Sequence, residues 1–229
     1  MKVGAIFPQT ECGTDVKAIG EFVQAVEAMG FDHLFVADHV LGADPKFHSH
    51  PSLAAYSHEA VVHEALTLMA YLAGITSRIT LATGILILPQ RQTALVAKQA
   101  AQIDVLSGGR LRLGIGVGSR DHAVPPDAAL RRIARLADGW SPNLTPEAHG
   151  QAIVARVHQY AREAGRDPAR LPLEGRIRIG GQSLDEWTKQ VNAWKALGAT
   201  SVIGEARGAG LSFPDGHLDV MRRFRETVS

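Results

Sequence analysis

The sequence has a single cysteine, Cys12, among its 229 residues, so it cannot form an internal disulfide and suits a reducing compartment. Its apolar runs fall short of the roughly 20 residues that a membrane-spanning helix needs. The apolar run at its start is too short for a signal peptide. The formal net charge is only +1, which indicates neither nucleic acid nor an acidic membrane as a partner. These absences predict a cytoplasmic protein that binds neither.

The residues that are present form an ordinary globular composition, with 45% hydrophobic and 21% charged residues. A chain of this length and composition can bury one sizeable core. No low-complexity segment or block of like charge interrupts it. We therefore predict a single domain over residues 1–229.

Strand and helix patterns alternate through the first half of the chain. Apolar runs typical of buried strands occupy residues 2–7, 33–38, 79–88 and 111–117. Between them, periodic apolar positions predict helices over residues 14–29, 58–74 and 93–107, the first capped by Thr14. These connections are long enough for crossovers between parallel strands. The order predicts a parallel sheet covered by helices.

This rhythm breaks between residues 119 and 127, where the sequence is polar and marked by proline. Beyond the break, helices are predicted over residues 127–137, 145–164, 183–197 and 215–227. Strands are predicted at residues 176–180 and 201–204, with a very short one at Trp140. The whole chain thus offers seven strands, whereas a complete eightfold barrel needs eight and typically ~250 residues.

Three glycines alternate along the fourth predicted strand, at Gly114, Gly116 and Gly118. Glycine lets backbone or ligand approach closely because it has no Cβ. The carboxyl ends of parallel strands are where α/β proteins bind ligands. Packing within the barrel explains the glycines equally well, because glycine spacing alone is a weak signal.

Four stretches together resemble the bacterial luciferase-like flavin and deazaflavin oxidoreductases. They are Phe35-Val-Ala-Asp-His39, Thr83-Gly-Ile-Leu86, residues 95–101 with residues 104–118 behind them, and residues 129–140. The ordered set covers most of the chain and is more specific than any single stretch. The resemblance implies an α/β fold, a (β/α)₈ TIM barrel of luciferase-like type. The region of the fifth strand, which in the family carries a glycine pair that holds the cofactor phosphate, is missing here.

The resemblance also implies the cofactor and its contacts. Coenzyme F420, a deazaflavin, is the first choice because the Arg- and Ala-rich sequence resembles actinobacterial members, and FMN is the second. The implied cofactor-binding residues are Asp38, His39, Thr83, Gly84, Ile85, Gly116, Val117 and Gly118. A cis peptide is implied at Gly84–Ile85. Family members are often dimers, so a homodimer is one state to be tested.

His39 follows the second strand and is the predicted catalytic residue. Its imidazole can accept or give a proton as hydride moves to or from a small organic substrate. Asp38 would orient His39 or bond to the cofactor ring. His48 and Tyr56 lie in the long loop that follows and are predicted substrate contacts by position. The predicted function is therefore a hydride-transferring oxidoreductase, which with FMN would include monooxygenase chemistry.

Two other functions stay open at this stage. A non-catalytic, vestigial flavin-binding barrel is consistent with the missing segment. A metal-dependent hydrolase rests on the histidine count alone, because His63-Glu64 lacks the second histidine of a helical zinc motif. Candidate contacts for a phosphate or for the acidic tail of a deazaflavin coenzyme are Arg91, Lys98, Arg110 and Arg112. The helix start near Ser183 is a further candidate phosphate site.

Overall fold

The computed structural model describes residues 1–44, 46–47, 56–118 and 125–228. Its strands are β1 Lys2–Ile6, β2 His33–Val36, β3 Thr80–Thr83, β4 Leu86–Ile87, β5 Leu111–Arg112, β6 Ile115–Gly116, β7 Glu174–Arg178 and β8 Ser201–Glu205. Its helices are α1 Val16–Ala28, α2 Ala65–Ile75, α3 Thr93–Ser107, α4 Asp127–Leu136, α5 Ala148–Glu163, α6 Leu184–Ala196 and α7 Asp215–Thr227. The alternation of strand and helix predicted from the sequence is confirmed.

All strand pairs are parallel, and the main sheet has the order β5-β3-β2-β1-β8-β7. The short strands β4 and β6 pair with each other, which continues β3 and β5 toward the carboxyl end of the sheet. An isolated parallel bridge between Trp140 and Leu173 adds one further position beside β7. Within the described ranges no strand lies between β6 and Trp140. The architecture is a (β/α) barrel whose fifth strand position is empty there.

The helices pack their apolar faces on the outer side of the sheet. In α1 the buried positions Ile19, Phe22, Val23 and Val26 recur every three or four residues, as the sequence pattern predicts. The large aromatic side chains Trp187, Trp194 and Phe224 are almost fully buried under α6 and α7. This outer core holds each strand in place and so fixes where its carboxyl end lies.

Two helix starts differ from the prediction. Helix α1 is capped by Asp15, whose carboxylate accepts from the backbone N–H groups of Lys17 and Ala18, and Thr14 is therefore not the cap. Helix α2 begins at Ala65 rather than near residue 58, because Glu64 caps it through the N–H groups of two following residues. In each case the helix starts directly after a carboxylate that accepts from its first free N–H groups.

The third and fourth predicted strands are both interrupted. Residues 79–88 split into β3 and β4, and the peptide bond between them, Gly84–Ile85, is cis, as the resemblance implies. Residues 111–117 split into β5 and β6. The fourth strand was also predicted to be buried, and this is wrong: Leu113, Ile115 and Val117 are 43%, 52% and 48% exposed. No described helix covers them, because α4 packs on α5 instead.

The amino-terminal end of the barrel lumen holds a polar layer. Glu174 pairs with Arg112 at 2.9 Å and accepts a 2.9 Å hydrogen bond from the Ser201 hydroxyl. His33 lies 3.8 Å from the same carboxylate and is so close to Gly4 that a Cβ there would sit 2.2 Å from the imidazole. Burial lowers the pKa of His33 to about 4, although the Glu174 carboxylate opposes the shift.

His33 is expected to make the protein less stable in acid. Its folded pKa of about 4 lies below the ordinary value of 6.5, so between these two values only the unfolded state binds the proton. Stability from this group is therefore complete above pH 6.5 and falls as the pH drops toward 4, by about 3 kcal/mol at most. Urea unfolding of wild type and His33→Gln at several pH values measures it.

The exposed histidine of α5, His149, provides the matched control for this comparison. His149→Gln should keep the wild-type slope of unfolding free energy against pH, whereas His33→Gln should flatten it. Equal slopes in all three proteins would show that His33 is not the group responsible.

Candidate active site at the carboxyl ends of the strands

The carboxyl ends of β2, β7 and β8 open at one end of the lumen. Parallel pairing aligns Val36 with Thr83, and Arg178 with Glu205. The residues that follow these strands therefore share one mouth. In barrels of this kind, residues after several different strands build the active site.

His39 and Tyr56 stack on each other at this mouth. Their ring centroids lie 4.4 Å apart with an interplanar angle of 13°. Tyr56 is brought there because the two arms of the loop are joined through Ala43, whose N–H donates to the Tyr56 carbonyl at 2.9 Å. The same alanine accepts from the His58 N–H at 3.0 Å. The predicted substrate contact Tyr56 thus lies beside the predicted catalytic residue, whereas His48 lies outside the described residues.

One nitrogen of His39 is committed, and the other has no described hydrogen-bond partner. Nδ1 lies 2.9 Å from the carbonyl oxygen of Leu41. A carbonyl oxygen can only accept, so the neutral ring carries its proton on Nδ1. This leaves the lone pair on Nε2. The imidazole is half-buried and oriented by its hydrogen bond and its stack, which is the arrangement that proton transfer requires.

A chain of charged side chains continues from Tyr56 toward β7. Arg207 donates from Nη1 to the Tyr56 hydroxyl and from Nε to Glu205 Oε1 at 2.9 Å. The second guanidinium, Arg176 Nη1, lies 3.8 Å from Glu205 Oε2. Burial lowers the pKa of Arg176. For Arg207 burial acts in the same direction, but Glu205 and Tyr56 together outweigh it, so the pKa of Arg207 is raised.

The sequence did not reveal Arg176, Glu205 and Arg207 as site residues. A signal for them was present, because Arg176 and Arg178 are separated by one residue in a predicted strand and must share a face. Glu205 and Arg207 stand at the end of the following strand, β8. What the sequence lacks is any indication that these two strand ends meet residues 39 and 56.

Between the polar layer and this mouth, β1, β2, β3 and β8 give the lumen an apolar patch. Ile6, Phe35, Ala82 and Ile203 form a separate buried cluster from four strands. The cluster lies one or two residues before the strand ends that carry the mouth residues. It provides an apolar floor beneath the charged rim.

Asp38 lies at the expected strand end, but its described contacts are with Ile87 and Arg91 rather than with His39. Its Oδ2 accepts from the Ile87 backbone N–H at 2.8 Å and from Arg91 Nε at 3.1 Å, and its Oδ1 from Arg91 Nη2 at 2.6 Å. Its side chain is fully buried. The hydrogen bond to Asp38 raises the pKa of Arg91, which also pairs with Glu64 at 2.8 Å. Asp38 therefore fixes β4 to the end of β2, and both its oxygens are used.

The alternating glycines allow the fourth strand segment to approach the third. A Cβ on Gly114 would lie 2.2 Å from the Thr83 carbonyl oxygen, and one on Gly116 would lie 2.7 Å from Ile85 Cδ1. Thr83 also donates to the Gly114 carbonyl at 2.7 Å. Gly118 has a φ of +88°. Of the two explanations left open for these glycines, the close contacts at Gly114 and Gly116 favour packing.

The remaining predicted cofactor contacts lie around the same junction. Gly84 donates its N–H to the Val36 carbonyl at 2.8 Å, and a Cβ on it would meet the Phe35 ring. Gly84 and Ile85 are half-buried at the rim of the lumen. Val117 is 48% exposed and lies on the outward side with Ile115. Thr83, Gly84, Ile85 and Gly116 are thus brought together, and Val117 reaches this junction only through its backbone.

Other candidate anion contacts are engaged in structural interactions. Arg110 donates to the Ile79 carbonyl and to the Thr76 hydroxyl, both at 2.9 Å, and Arg112 pairs with Glu174. The start of α6 is closed by a capping box between Ser183 and its third helical residue, a glutamate. Its first turn also carries two carboxylates, which disfavour a phosphate there.

The histidine-rich stretch forms no metal centre in the part of the chain that the structure describes, where no group of three or more His, Cys, Asp or Glu side chains could hold an ion. His63 Nε2 instead lies 2.8 Å from the Gly13 carbonyl oxygen.

A small cavity of about 110 Å³ lies beside His39 and Tyr56. Residues of the 40–42 and 57–62 segments complete its lining.

Comparison with known proteins gives the family. The luciferase-like monooxygenase family matches residues 2–126, which is more than half of the chain. This protein belongs to the luciferase-like monooxygenase family. The match contains β1 to β6 and hence His39 and the cis peptide of this luciferase-like chain.

A curated relative resembles part of the luciferase-like chain. This relative is 4-hydroxyprotoasukamycin monooxygenase of Streptomyces nodosus subsp. asukaensis, and the two sequences are 38% identical over 87 residues. This alignment spans 36% of the chain and 22% of that relative. The chain therefore covers less than a quarter of that relative's length.

Solved structures share the fold over a longer span. One is an F420-dependent secondary alcohol dehydrogenase in complex with an F420-acetone adduct, which superposes with a TM-score of 0.72 at 14% sequence identity. This superposition covers all of this chain and 99% of the dehydrogenase chain. The oxygenating constituent of 3,6-diketocamphane monooxygenase from Pseudomonas putida, in complex with FMN, has a TM-score of 0.55 at 15% identity. That match covers 83% of this chain and 71% of the Pseudomonas protein. Both likenesses establish the luciferase-like barrel fold.

Among the described residues, none of the helices is both long enough and apolar enough to span a bilayer.

Proposed function

We propose that this protein is an oxidoreductase that transfers a hydride between a flavin-type cofactor and a small organic substrate. Coenzyme F420 is the first choice of cofactor and FMN the second, since solved relatives of the same fold are named for each. The observation that carries the proposal is His39, whose Nε2 lone pair stands at the mouth of a luciferase-like barrel.

The residues present fit a flavin-type ring. Ile6, Phe35, Ala82 and Ile203 offer an apolar floor, and the half-buried Gly84–Ile85 segment forms one side of the rim. When bound, the ring supplies the position that accepts or donates the hydride.

The side chains of this protein would then act around that ring. We assign the ring to the space over the apolar floor, against the junction of Ile85 and Gly116. His39 holds or gives the proton that balances hydride transfer, through Nε2. Tyr56 keeps the imidazole in plane by stacking, and Arg207 holds Tyr56 in turn. The hydrogen bond from Ile87 to Asp38 keeps the rim next to β2.

Titration of the purified protein with coenzyme F420 and with FMN, followed by absorbance, tests this function. We expect one of them to bind with micromolar affinity, and its bound ring to be reduced or oxidised when small alcohols, aldehydes or ketones are added. Binding by neither cofactor would contradict the proposal.

A non-catalytic flavin-binding barrel remains the second candidate, and one observation favours it. The apolar outer side of the fourth strand is about half exposed, beside the position where the described chain has no fifth strand. Binding of a cofactor without turnover of any substrate would support this second candidate over the first.

A further inference from the structure

We propose that the barrel mouth contains a binding site for a carboxylate group of the substrate, centred on Arg176 and Arg207. The proposal rests on the proposed oxidoreductase function, because it names the substrate class of that site as small organic acids. It is carried by the charge balance of the lumen, by the unsatisfied donors of one arginine and by the position of both arginines relative to His39.

The lumen holds more cationic than anionic side chains. Glu174, Arg176 and Arg178 alternate along β7, and their partners in β8 are Ser201, Ile203 and Glu205. Because Ile203 belongs to the inner cluster, this whole set faces inward. Charged side chains on this side of β5 and β7 and at the end of β8 are Arg112, Glu174, Arg176, Arg178, Glu205 and Arg207. Four guanidinium groups thus face two carboxylates, which favours an anion in the lumen.

Arg176 has donors that no described side chain satisfies. Its Nε is buried without a hydrogen-bond partner. Its Nη1 lies 3.8 Å from Glu205 Oε2, which is beyond hydrogen-bond distance. Glu205 is committed to Arg207 instead, through Nε at 2.9 Å and through Nη2. An arginine with free donors on one edge matches a carboxylate, which can accept two parallel hydrogen bonds.

The position of this pair separates it from the side of the mouth that we assign to the cofactor. Arg176 and Arg207 come from β7 and from the end of β8, whereas Ile85 and Gly116 follow β3 and β5. The sheet order places β2 and β1 between these two sides. Arg207 contacts Tyr56, which stacks on His39. A carboxylate held by the arginines would therefore direct its carbon skeleton toward the imidazole.

Calorimetric titration with acetate, succinate and benzoate tests the site, with the corresponding amides as uncharged probes of the same shape. In wild-type protein we expect at least one acid to bind about tenfold or more tightly than its amide. Arg176→Gln should abolish that preference. Arg132→Gln, on the exposed face of α4, removes one positive charge at a distant position and should retain the wild-type preference for the acid over its amide. Equal binding of acids and amides, or no binding of any acid, would overturn the proposal.

A second variant covers the case in which Arg176→Gln does not fold, as judged by circular dichroism. Arg178 is exposed on the same face of β7, so Arg178→Gln should keep the fold and weaken binding of the acid severalfold. An unchanged affinity in this variant would count against an anion site on β7.

Two further titrations distinguish a substrate carboxylate from a cofactor phosphate. If the site belongs to the substrate, the acid should bind equally well to protein saturated with FMN, and Arg176→Gln should bind FMN and riboflavin in the wild-type ratio. Competition between FMN and the acid, or a selective loss of FMN over riboflavin, would assign the arginines to the phosphate and refute the proposal. Acid binding that depends on Arg176 in a protein that binds neither FMN nor coenzyme F420 would refute the oxidoreductase function while leaving the carboxylate site standing.

Discussion

Replacing His39 with alanine is expected to lower kcat by about 10² to 10⁴-fold, which is the usual contribution of a positioned acid–base group. The protein should still fold, because the imidazole is only half-buried and its described hydrogen bond is to the Leu41 carbonyl. Steady-state kinetics with the cofactor that binds gives the change in kcat, and circular dichroism checks the fold. His149→Ala, at an exposed position of α5, is the matched control and should retain wild-type turnover.

Two further measurements separate proton transfer from positioning at this residue. His39→Gln can still donate a hydrogen bond to the Leu41 carbonyl but has no basic lone pair, so it should be as slow as His39→Ala. Millimolar imidazole should restore part of the activity of His39→Ala by occupying the space beside Tyr56. Wild-type turnover in either variant would remove His39 from the mechanism.

Replacing Arg91 with methionine is expected to lower the free energy of unfolding by about 3–5 kcal/mol, because it leaves the buried Asp38 carboxylate without its cationic partner. The side chains of Arg91 and Asp38 are 11% and 0% exposed, so water cannot replace the lost contacts. Urea unfolding of the variant and the wild type at neutral pH gives the difference.

Matched variants show whether this loss comes from the stranded charge. Arg91→Met combined with Asp38→Asn removes both charges and should recover most of the stability, since the amide oxygen can still accept from Ile87. Arg131→Met breaks an exposed pair with Asp127, which should lower the free energy of unfolding far less. If Arg91→Met were no less stable than Arg131→Met, the Asp38–Arg91 pair would not support the rim as we describe.

The difference between the predicted and observed role of Asp38 has a physical cause. Its place after a buried strand and before His39 predicts a residue at the ligand mouth, and in the structure it lies just beyond the end of β2. Its partner, Arg91, lies 53 residues further along the chain, beyond β3 and β4. A motif locates a carboxylate on a strand end, but it does not say which cation comes to face it.

The burial of the glycine-rich fourth strand also differs from the prediction. Alternation of Leu113, Ile115 and Val117 with glycines predicts one face for each set, and the structure keeps that division. The prediction that these apolar side chains are buried is wrong. Their burial requires a helix on the outer side of the strand, and no described helix lies there. Periodicity assigns side chains to faces, whereas only the neighbouring elements decide whether a face is covered.

Sequence patterns alone predict the alternation of strands and helices, the end of α3 near Gly108, and membership of the luciferase-like family. These features depend on local periodicity, on capping and on residues close together in the chain. Two contacts are visible only in the folded chain. Tyr56 stacks on His39, and Arg207 donates a hydrogen bond to the hydroxyl of Tyr56, 151 residues away in the sequence. These contacts form because the curved sheet brings the ends of distant strands together. Contacts across the lumen produce no periodic pattern in the sequence, so they cannot be predicted from it.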